Sequence, residues 1–331
     1  MKIISVGFCG AGGIVASHHV PELKARSDRY CIAGFFDILP EKAKALAGGT
    51  SKAYPTYEDL LADRDVELAV IATKPVETHF PAAKKALTAG KHVLLEKPMA
   101  ATTAECDELI ALAHKKNLLL TVHHNRRLDL DFLAVRDIIA RGKIGDPLLI
   151  VNRISCNAYQ PGDILDWGIH LADQCLVLNH SPLTEVSAVM FNPAGGFDKG
   201  GYYEATLRFE RPPVVRIEAL PRPAEFLSNG TPAFARFSVI GTTGSFIQRT
   251  IEHPNDLMNA TQNIHNFRPD YAVPDYLSIS RKGYYDYLHE SLRNGHPLFV
   301  KPEEARNAIR AFELIVESAR TNRMVTASSG R

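Results

Sequence analysis

Short apolar runs alternate with helical patterns through the first third of the chain. These runs contain few polar residues, as is typical of strands buried on both faces of a parallel sheet. They are KIISVGF, CIAGFFD, ELAVIA, HVLLE and LLLTV. Amphipathic segments such as HFPAAKKALTAG and ECDELIALAHKKN separate the runs. This alternation predicts a doubly wound α/β domain of Rossmann type over residues 1–123.

Beyond residue 145 the pattern changes to longer runs in which polar and apolar residues alternate. Examples are EVSAVMF, YYEATLRFE, VVRIEAL and ARFSVIG, with turn signals at Pro212-Pro213 and at Gly241-Thr242-Thr243-Gly244. We expect an α+β domain over residues 124–331, built on a large, mostly antiparallel sheet. The helical pattern PEEARNAIRAFELIVESARTN follows near the end of the chain, and we expect this helix to pack back on the first domain.

Charge and cysteine content exclude several kinds of partner. The 331 residues include 38 Lys and Arg against 37 Asp and Glu, and without a basic patch neither nucleic acid nor a membrane surface is an expected partner. The five cysteines are scattered, which fits neither a disulfide framework nor a zinc site. The sequence begins MKIISVGF and enters a strand pattern directly, without the pattern of a signal peptide. We therefore expect a cytoplasmic protein that binds small molecules and no metal.

A glycine-rich turn joins the first predicted strand to a helix. It contains Gly10, Gly12 and Gly13, followed by Ile14. Such glycines permit a tight turn and let the backbone approach a pyrophosphate, whose charge lies at the helix N-terminus. The third small position of the usual motif holds Val15. The turn nevertheless predicts a dinucleotide site, because a strand precedes it and a helix follows it.

The second predicted strand ends in Asp37. A carboxylate at this place can accept hydrogen bonds from both ribose hydroxyls of NAD, and it repels the 2′-phosphate of NADP. We therefore predict that NAD is preferred over NADP. The alternative is that Asp37 only caps the helix that starts near Pro40.

The stretch GDILDWGIHLAD, at residues 162–173, places polar groups among apolar ones. In a helix, Asp166, His170 and Asp173 are spaced i, i+4 and i+7 and lie on one face. Apolar residues border this face on both sides, which predicts a buried helix. A polar stripe in a buried helix must find partners or line a cavity.

Four motifs together resemble the glucose-fructose oxidoreductase, inositol dehydrogenase and MocA (Gfo/Idh/MocA) family. They are the turn GAGGI, KPVETH at 74–79, AGKHVLLEKP at 89–98, and Asp166-x-x-x-His170. The combination of Glu-Lys-Pro with Asp-x-x-x-His is the most specific part, and the resemblance extends over essentially the whole chain. The segments NRRLDLDFL, HLADQ and FSVIGTTGSF look most like the branch that contains scyllo-inositol dehydrogenases.

The resemblance implies a dinucleotide-binding domain followed by a sheet domain whose open face forms homodimers or homotetramers. It also implies a sugar, inositol or other polyol as substrate. The chain departs from the family in two places that bear on substrate and cofactor contacts: Lys74 stands where relatives commonly have Thr before the proline, and the glycine run ahead of Asp166 is missing. Members of the inositol branch that use NADP lack an acid at the position of Asp37.

Oxidation of a secondary alcohol requires a base to take the hydroxyl proton, and His is suited to this because it titrates near neutral pH. We assign this role to His170, with Asp166 orienting the imidazole or holding a hydroxyl. Lys97 would hydrogen-bond the reacting oxygen, and Asp173 would bind another substrate hydroxyl. The alternative for Asp166 is a structural role in the first helical turn, with Asp163 as N-cap.

The resemblance adds further residues to the cofactor site, namely Pro75, His79, Glu96 and Lys97. His79 could instead only start the helix that follows the fourth strand. Three residues that follow the sixth predicted strand could contact nicotinamide or substrate, namely Asn125, Arg126 and Arg127. The alternative is that the basic pair opens a helix and forms an ion pair at a domain interface. The irregular segment 252–275 is expected to cover the substrate pocket, with a surface loop as the alternative. His253 and His265 lack metal-ligand spacing.

These observations predict an NAD-dependent dehydrogenase that transfers a hydride from a secondary hydroxyl of a sugar, inositol or polyol. A second possibility is a sugar-eliminating or glycoside-cleaving enzyme, in which NAD oxidises the sugar transiently and no net NADH forms. A non-enzymatic dinucleotide sensor is disfavoured, because Lys97, Asp166 and His170 are all retained.

Overall fold

The computed structural model describes residues 2–156, 163–179, 181–191, 202–221, 236–249, 263–266 and 282–327. The chain divides into two compact units. The first comprises Met1–His124 and Arg281–Ile309, and the second comprises Asn125–Ser280 and Arg310–Arg331. None of the described helices is both long enough and apolar enough to cross a membrane.

The first unit contains a six-stranded sheet in the order β3-β2-β1-β4-β5-β6. All of its strand pairs are parallel. The strands are β1 (Ile4–Cys9), β2 (Tyr30–Phe36), β3 (Lys52–Ala53), β4 (Leu68–Ile71), β5 (His92–Leu95) and β6 (Leu120–Val122). From β1 the chain adds β2 and β3 on one side of the sheet and then β4, β5 and β6 on the other side. Dinucleotides bind in doubly wound sheets at the point where the strand order switches sides, which here lies between β1 and β4. The Rossmann prediction is confirmed.

The central strands of this sheet are buried along nearly their whole length, as the apolar runs predicted. On β1, Phe8 has no solvent exposure and the adjacent Cys9 is 3% exposed, and none of the four residues of β4 is exposed. Side chains that point to opposite faces of a strand are buried together only when helices cover both faces of the sheet. The core of the first unit therefore lies on both sides of β1 and β4.

Helices connect these strands. A helical segment leads from Gly13 through a π-helical turn (Val15–His19) into α1 (Val20–Lys24). The others are α2 (Pro40–Ala47), α3 (Tyr57–Ala62), α4 (His79–Thr88) and α5 (Thr103–Lys116). Reciprocal capping boxes start α3 at Thr56 and α5 at Thr102, which satisfies backbone donors that have no partner inside the helix.

A helix from late in the sequence, α8 (Tyr284–Asn294), also belongs to the first unit. Ion pairs attach it there, from Asp286 to Arg26 at 2.7 Å and from Arg293 to Glu67 at 2.5 Å. In addition, the Tyr30 hydroxyl donates to the carbonyl of Tyr285 at 2.8 Å. The last helix, α9 (Pro302–Thr321), is assigned to the first unit up to Ile309 and to the second unit beyond it.

The second unit contains an eight-stranded sheet in the order β13-β12-β11-β7-β10-β9-β8-β14. Its strands are β7 (Pro147–Cys156), β8 (Leu183–Phe191), β9 (Tyr202–Phe209), β10 (Val214–Pro221), β11 (Phe237–Gly241), β12 (Ser245–Arg249), β13 (Asn263–Asn266) and β14 (Val325–Thr326). Every neighbouring pair is antiparallel except β7 and β10, which are parallel. The prediction of a mostly antiparallel sheet is confirmed.

The two faces of this sheet differ. On β9 the side chains of Tyr203, Ala205 and Leu207 are buried, because helix α7 (Asp163–Leu178) packs against the sheet on their side. Helix α6 (Leu130–Ala140) packs against β11. On the other face, Val189 and Phe191 of β8 are 59% and 53% exposed within this chain. In the part of the chain that the structure describes, helices cover one face of the sheet, and the other face, called the open face below, carries exposed side chains.

Candidate active site

The glycine turn after β1 has the geometry that a dinucleotide requires. Gly10 has φ +100°, and a Cβ at this position would lie 2.4 Å from the carbonyl oxygen of Ala72, so only glycine fits. Added Cβ atoms at Gly12 and Gly13 would meet nothing within 4 Å. The backbone is thus open on this side, at the start of a helical segment where an anion is stabilised.

Asp37 lies directly beside this turn. Its Oδ2 accepts a hydrogen bond from the backbone N–H of Ala11 at 2.7 Å, and its Oδ1 accepts one from Leu39 at 2.9 Å. Leu39 is the N-cap residue of α2, and no side-chain capping bond forms there. The carboxylate is therefore held against the glycine turn. These residues fit a bound dinucleotide.

His79 joins the loops that follow β4 and β5. The peptide bonds Lys74–Pro75 and Lys97–Pro98 in these loops are both cis. The buried imidazole lies 2.7 Å from the carbonyl oxygen of Pro98 through Nδ1, and 2.9 Å from that of Thr73 through Nε2. Burial lowers the pKa of His79, and the two carbonyl contacts oppose this shift. Beyond its position as the first residue of α4, His79 therefore holds the Pro98 loop to the Thr73 loop.

Glu96 lies in a buried network of hydrogen bonds at the end of β5. Its Oε1 accepts from Nε2 of His19 at 2.9 Å and from Nδ1 of His123 at 2.7 Å. Its Oε2 accepts from the backbone N–H of Lys97 at 3.2 Å. Burial raises the pKa of Glu96, but the two histidines outweigh burial and hold the pKa well below its usual range. Glu96 is therefore ionised and fixes the start of the Lys97 loop.

The tautomer of His19 follows from these contacts. Because an ionised carboxylate only accepts hydrogen bonds, Nε2 of His19 carries the proton, and Nδ1 accepts from the hydroxyl of Tyr285 at 2.7 Å. Burial and the nearby His123 lower the pKa of His19 to about 4. His19, Glu96 and His123 each place one atom that could ligate a metal within 4.8 Å of the others, close enough to share a metal ion. Short hydrogen bonds already account for their proximity.

The described part of the stretch GDILDWGIHLAD, residues 163–173, forms the first eleven residues of a buried helix, as predicted. Helix α7 begins at Asp163, so Asp166 stands at the end of its first turn and is half-buried. His170 and Asp173 are buried, together with the apolar residues around them. The side chain of Asp163 lies outside the described residues, so its capping role stays a prediction.

Asp173 has a close partner that the sequence did not suggest. Arg127 donates to both of its carboxylate oxygens, from Nε at 2.8 Å and from Nη2 at 2.5 Å. Arg127 and Arg126 lie in a 3₁₀ turn, Asn125–Leu128, directly after the β6 loop. Arg126 is half-buried, and its Nη1 lies 3.4 Å from Oδ2 of Asp129. Sequence spacing gave no signal for these pairs.

The proposed lid at 252–275 lies outside the described residues, except for the backbone of β13. The same is true of the side chains of His253 and His265.

Two family models match the chain. One, described as an oxidoreductase family with an NAD-binding Rossmann fold, matches residues 4–124, and the other, described as the C-terminal alpha/beta domain of that oxidoreductase family, matches residues 136–327. The chain belongs to the Gfo/Idh/MocA family. This confirms the resemblance, and it confirms at the level of the family an NAD(P)-dependent dehydrogenase that acts on CH–OH groups.

Similar members of the Gfo/Idh/MocA family include enzymes and a solved structure. The chain is 28% identical to scyllo-inositol 2-dehydrogenase (NADP(+)) of Bacillus subtilis, covering 97% of this chain and 95% of that protein. It is 32% identical to 1,5-anhydro-D-fructose reductase of Ensifer adhaerens over 74% and 75% of the two chains. An NAD-binding protein from Listeria innocua has a TM-score of 0.83 at 30% identity, covering 99% and 98%.

Proposed function

We propose that this Gfo/Idh/MocA member is an NAD-dependent dehydrogenase that oxidises a secondary hydroxyl of a sugar, an inositol or a related polyol. The observation that carries the proposal is the pair Asp166 and His170 on one face of α7, where His170 is buried. A titratable imidazole in such a place calls for a function. The names of the similar inositol dehydrogenase and anhydrofructose reductase support the substrate class.

For the cofactor we propose NAD rather than NADP. Asp37 is ionisable, lies beside the glycine turn and is oriented by two backbone N–H groups, which favours a ribose with free hydroxyls over a 2′-phosphate. Gly10, Gly12, Gly13 and Ile14 would hold the pyrophosphate. When bound, NAD supplies the acceptor for the two electrons and the hydrogen that leave the substrate carbon.

The loops after β4 and β5 complete the proposed cofactor site. Pro75 and Lys97 would contact the cofactor directly. His79 and Glu96 are built into these loops by their hydrogen bonds to Pro98, Thr73 and Lys97. We therefore propose that His79 and Glu96 act on the cofactor by holding its loops in shape.

In the proposed reaction His170 takes the proton of the substrate hydroxyl. A positioned general base contributes on the order of 10²- to 10⁴-fold in rate. Asp166, one turn earlier on the same face of α7, would orient the imidazole and stabilise its charged form. Lys97 would donate a hydrogen bond to the reacting oxygen. Asn125 and Arg126 would bind other hydroxyls of the substrate.

A panel of substrates tests this proposal. The purified protein is mixed with NAD or NADP and with individual hexoses, sugar acids and inositols, and absorbance at the NADH band is followed. The proposal predicts stoichiometric NADH from at least one of these compounds. Consumption of a sugar without net NADH would instead indicate elimination through transient oxidation, and a panel without any turnover would contradict the substrate class.

We also infer that the chain forms a homo-oligomer through the open face of the second sheet. This face carries the exposed apolar side chains Val189 and Phe191, which are neighbours on one face of β8, and exposed apolar patches mark interaction surfaces. Light scattering after size exclusion should report a dimer or tetramer. The double variant Val189→Lys/Phe191→Lys should shift the population towards monomers, and an unchanged mass would contradict this inference.

A further inference from the structure

A cluster of buried charged and amide side chains meets helix α7 within the second unit. We define the α7 anchor as Arg127, Asp129, Asp131, Asp173, Gln174 and Arg236. Two of its members, Asp173 and Gln174, belong to α7 and stand three and four residues after His170. Residues three and four apart lie on the same face of a helix. The α7 anchor therefore holds the helix face that carries His170.

The first contact of the anchor is the Arg127–Asp173 pair. Their side chains are only 4% and 2% exposed. Two parallel hydrogen bonds join the guanidinium to the carboxylate, at 2.8 Å and 2.5 Å. A bidentate pair fixes orientation as well as distance, which a lysine ammonium does not do.

The second contact is made by the amide of Gln174. Its Nε2 donates to the backbone carbonyl of Arg126 at 2.6 Å, and its Oε1 accepts from Nη2 of Arg236 at 2.8 Å. The Nδ2 of Asn152 lies 3.3 Å from the same Oε1. One α7 side chain is thus bonded to the 3₁₀ turn before α6, to strand β7 and to the residue that precedes β11.

Arg236 extends the anchor to the start of α6. Its Nη1 donates to Oδ2 of Asp131 at 2.7 Å and to Oδ2 of Asp129 at 2.9 Å, and its side chain is buried. Arg126, which contacts Asp129 from outside the anchor, adds a third cation beside Arg127 and Arg236. Among the described residues, three arginines thus lie beside the three aspartates of the anchor.

Stability alone is a weak reason for such a cluster. Desolvation offsets much of the attraction in a buried ion pair, and apolar side chains of similar volume often replace one without loss of stability. What apolar contacts do not supply is a fixed rotation of the helix about its axis. An imidazole lies roughly 6 Å from the axis of its helix, so a rotation of about 20° moves it by about 2 Å. A misplacement of about 1 Å can cost on the order of 100-fold in rate.

We propose that the α7 anchor positions His170 for proton transfer, with Arg127 and Arg236 as positioning residues. Asp173 then serves to receive Arg127, rather than to bind a substrate hydroxyl as the sequence suggested. The inference rests on the proposed function, because it takes His170 as the base.

Replacing an arginine of the anchor by lysine tests this role, because lysine keeps the positive charge but cannot make two parallel hydrogen bonds to a carboxylate. In Arg127→Lys we expect kcat to fall about 10- to 100-fold, while KM for the polyol and the dissociation constant of NADH stay within about threefold of wild type. Arg236→Lys, which loses the bond to Gln174, should act in the same direction and serves if the first variant does not fold. Arg293→Lys is the matched control, because Arg293 makes a similar two-bond pair with Glu67 within the first unit.

The double variant Arg127→Met/Asp173→Leu separates positioning from stability. It removes both charges together, so we expect its thermal unfolding to stay close to that of wild type while kcat remains low. Recovery of both stability and kcat would show that the anchor is only structural. A large rise in KM with unchanged kcat would show that Asp173 binds substrate, and either result overturns the proposal.

His170→Ala distinguishes failure of this inference from failure of the proposed function. If His170→Ala is inactive and Arg127→Lys behaves like Arg293→Lys, the positioning role is wrong and the base assignment stands. If His170→Ala turns over at the rate of wild type, the proposed function itself is wrong.

Discussion

Replacing His19 by glutamine should make the first unit less sensitive to mild acid. In the wild type His19 is buried and neutral between Glu96 and Tyr285. Its pKa falls from 6.5 to about 4 on folding, chiefly because burial disfavours the charged form. Glutamine can still donate to Glu96 and accept from Tyr285, but it does not titrate.

The sign and size of the effect follow from proton linkage. Between pH 6.5 and about pH 4 the unfolded chain binds a proton at His19 that the folded chain does not bind. The free energy of unfolding therefore falls as the pH falls through this window, by about 1.4 kcal/mol per pH unit. From pH 6.5 to pH 5 the wild type should lose about 2 kcal/mol relative to His19→Gln. Above pH 6.5 the difference in the free energy of unfolding between wild type and His19→Gln should be constant.

Urea unfolding at several pH values from 5 to 7.5 measures this difference. Far-UV circular dichroism follows both units, whereas the single tryptophan, Trp167, belongs to the second unit, so the two signals together assign a transition to the first unit. His114→Gln is the matched control, because the His114 side chain is 70% exposed. Equal pH dependence of wild type and His19→Gln would refute the reasoning.

Three further substitutions have defined outcomes. Gly10→Ala should abolish NADH binding in a fluorescence titration while the protein stays folded, because a Cβ there would lie 2.4 Å from the carbonyl of Ala72; normal binding would contradict the turn geometry. Asp37→Ala should raise the ratio of kcat/KM with NADP to that with NAD by about tenfold or more, equivalent to about 1.4 kcal/mol, and an unchanged ratio would contradict the role of its charge. Gly168→Ala should lower both thermal stability and kcat, because its Cβ would lie 2.5 Å from Oη of Tyr203 and α7 must shift; wild-type values of both would contradict close packing at this point.

Local patterns were enough to predict most of the fold. Strands buried on both faces give continuous apolar runs, and half-buried strands give alternation, so the change of pattern after residue 145 correctly indicated two kinds of sheet. The parallel pairing of β7 with β10 was not predicted. It joins residues such as Leu149 and Val214, and pairing between distant segments leaves no periodic signal in either one.

The candidate site was predictable where its chemistry is local in sequence. The glycine turn and the spacing of Asp166 and His170 belong to single segments. The partners of Glu96 are His19 and His123, which are 77 and 27 residues away in the sequence. Neither histidine belongs to a motif that predicts a contact with Glu96.

The same limit applies to Asp173. Its helical spacing indicated a polar group on the His170 face, but Arg127 approaches it from 46 residues earlier. A buried carboxylate that faces a ligand and one that faces an arginine have the same sequence signature. Only the position of the 3₁₀ turn before α6 distinguishes them.

The measurement that tests the account most directly compares wild type with Lys97→Ala and His170→Ala, using NAD and the best polyol from the panel. We predict that the wild type and His170→Ala bind NADH with similar dissociation constants, that the wild type forms one NADH per oxidised hydroxyl, and that kcat of each variant is lower by about 10²- to 10⁴-fold. Turnover of both variants at the rate of the wild type would contradict the proposed chemistry.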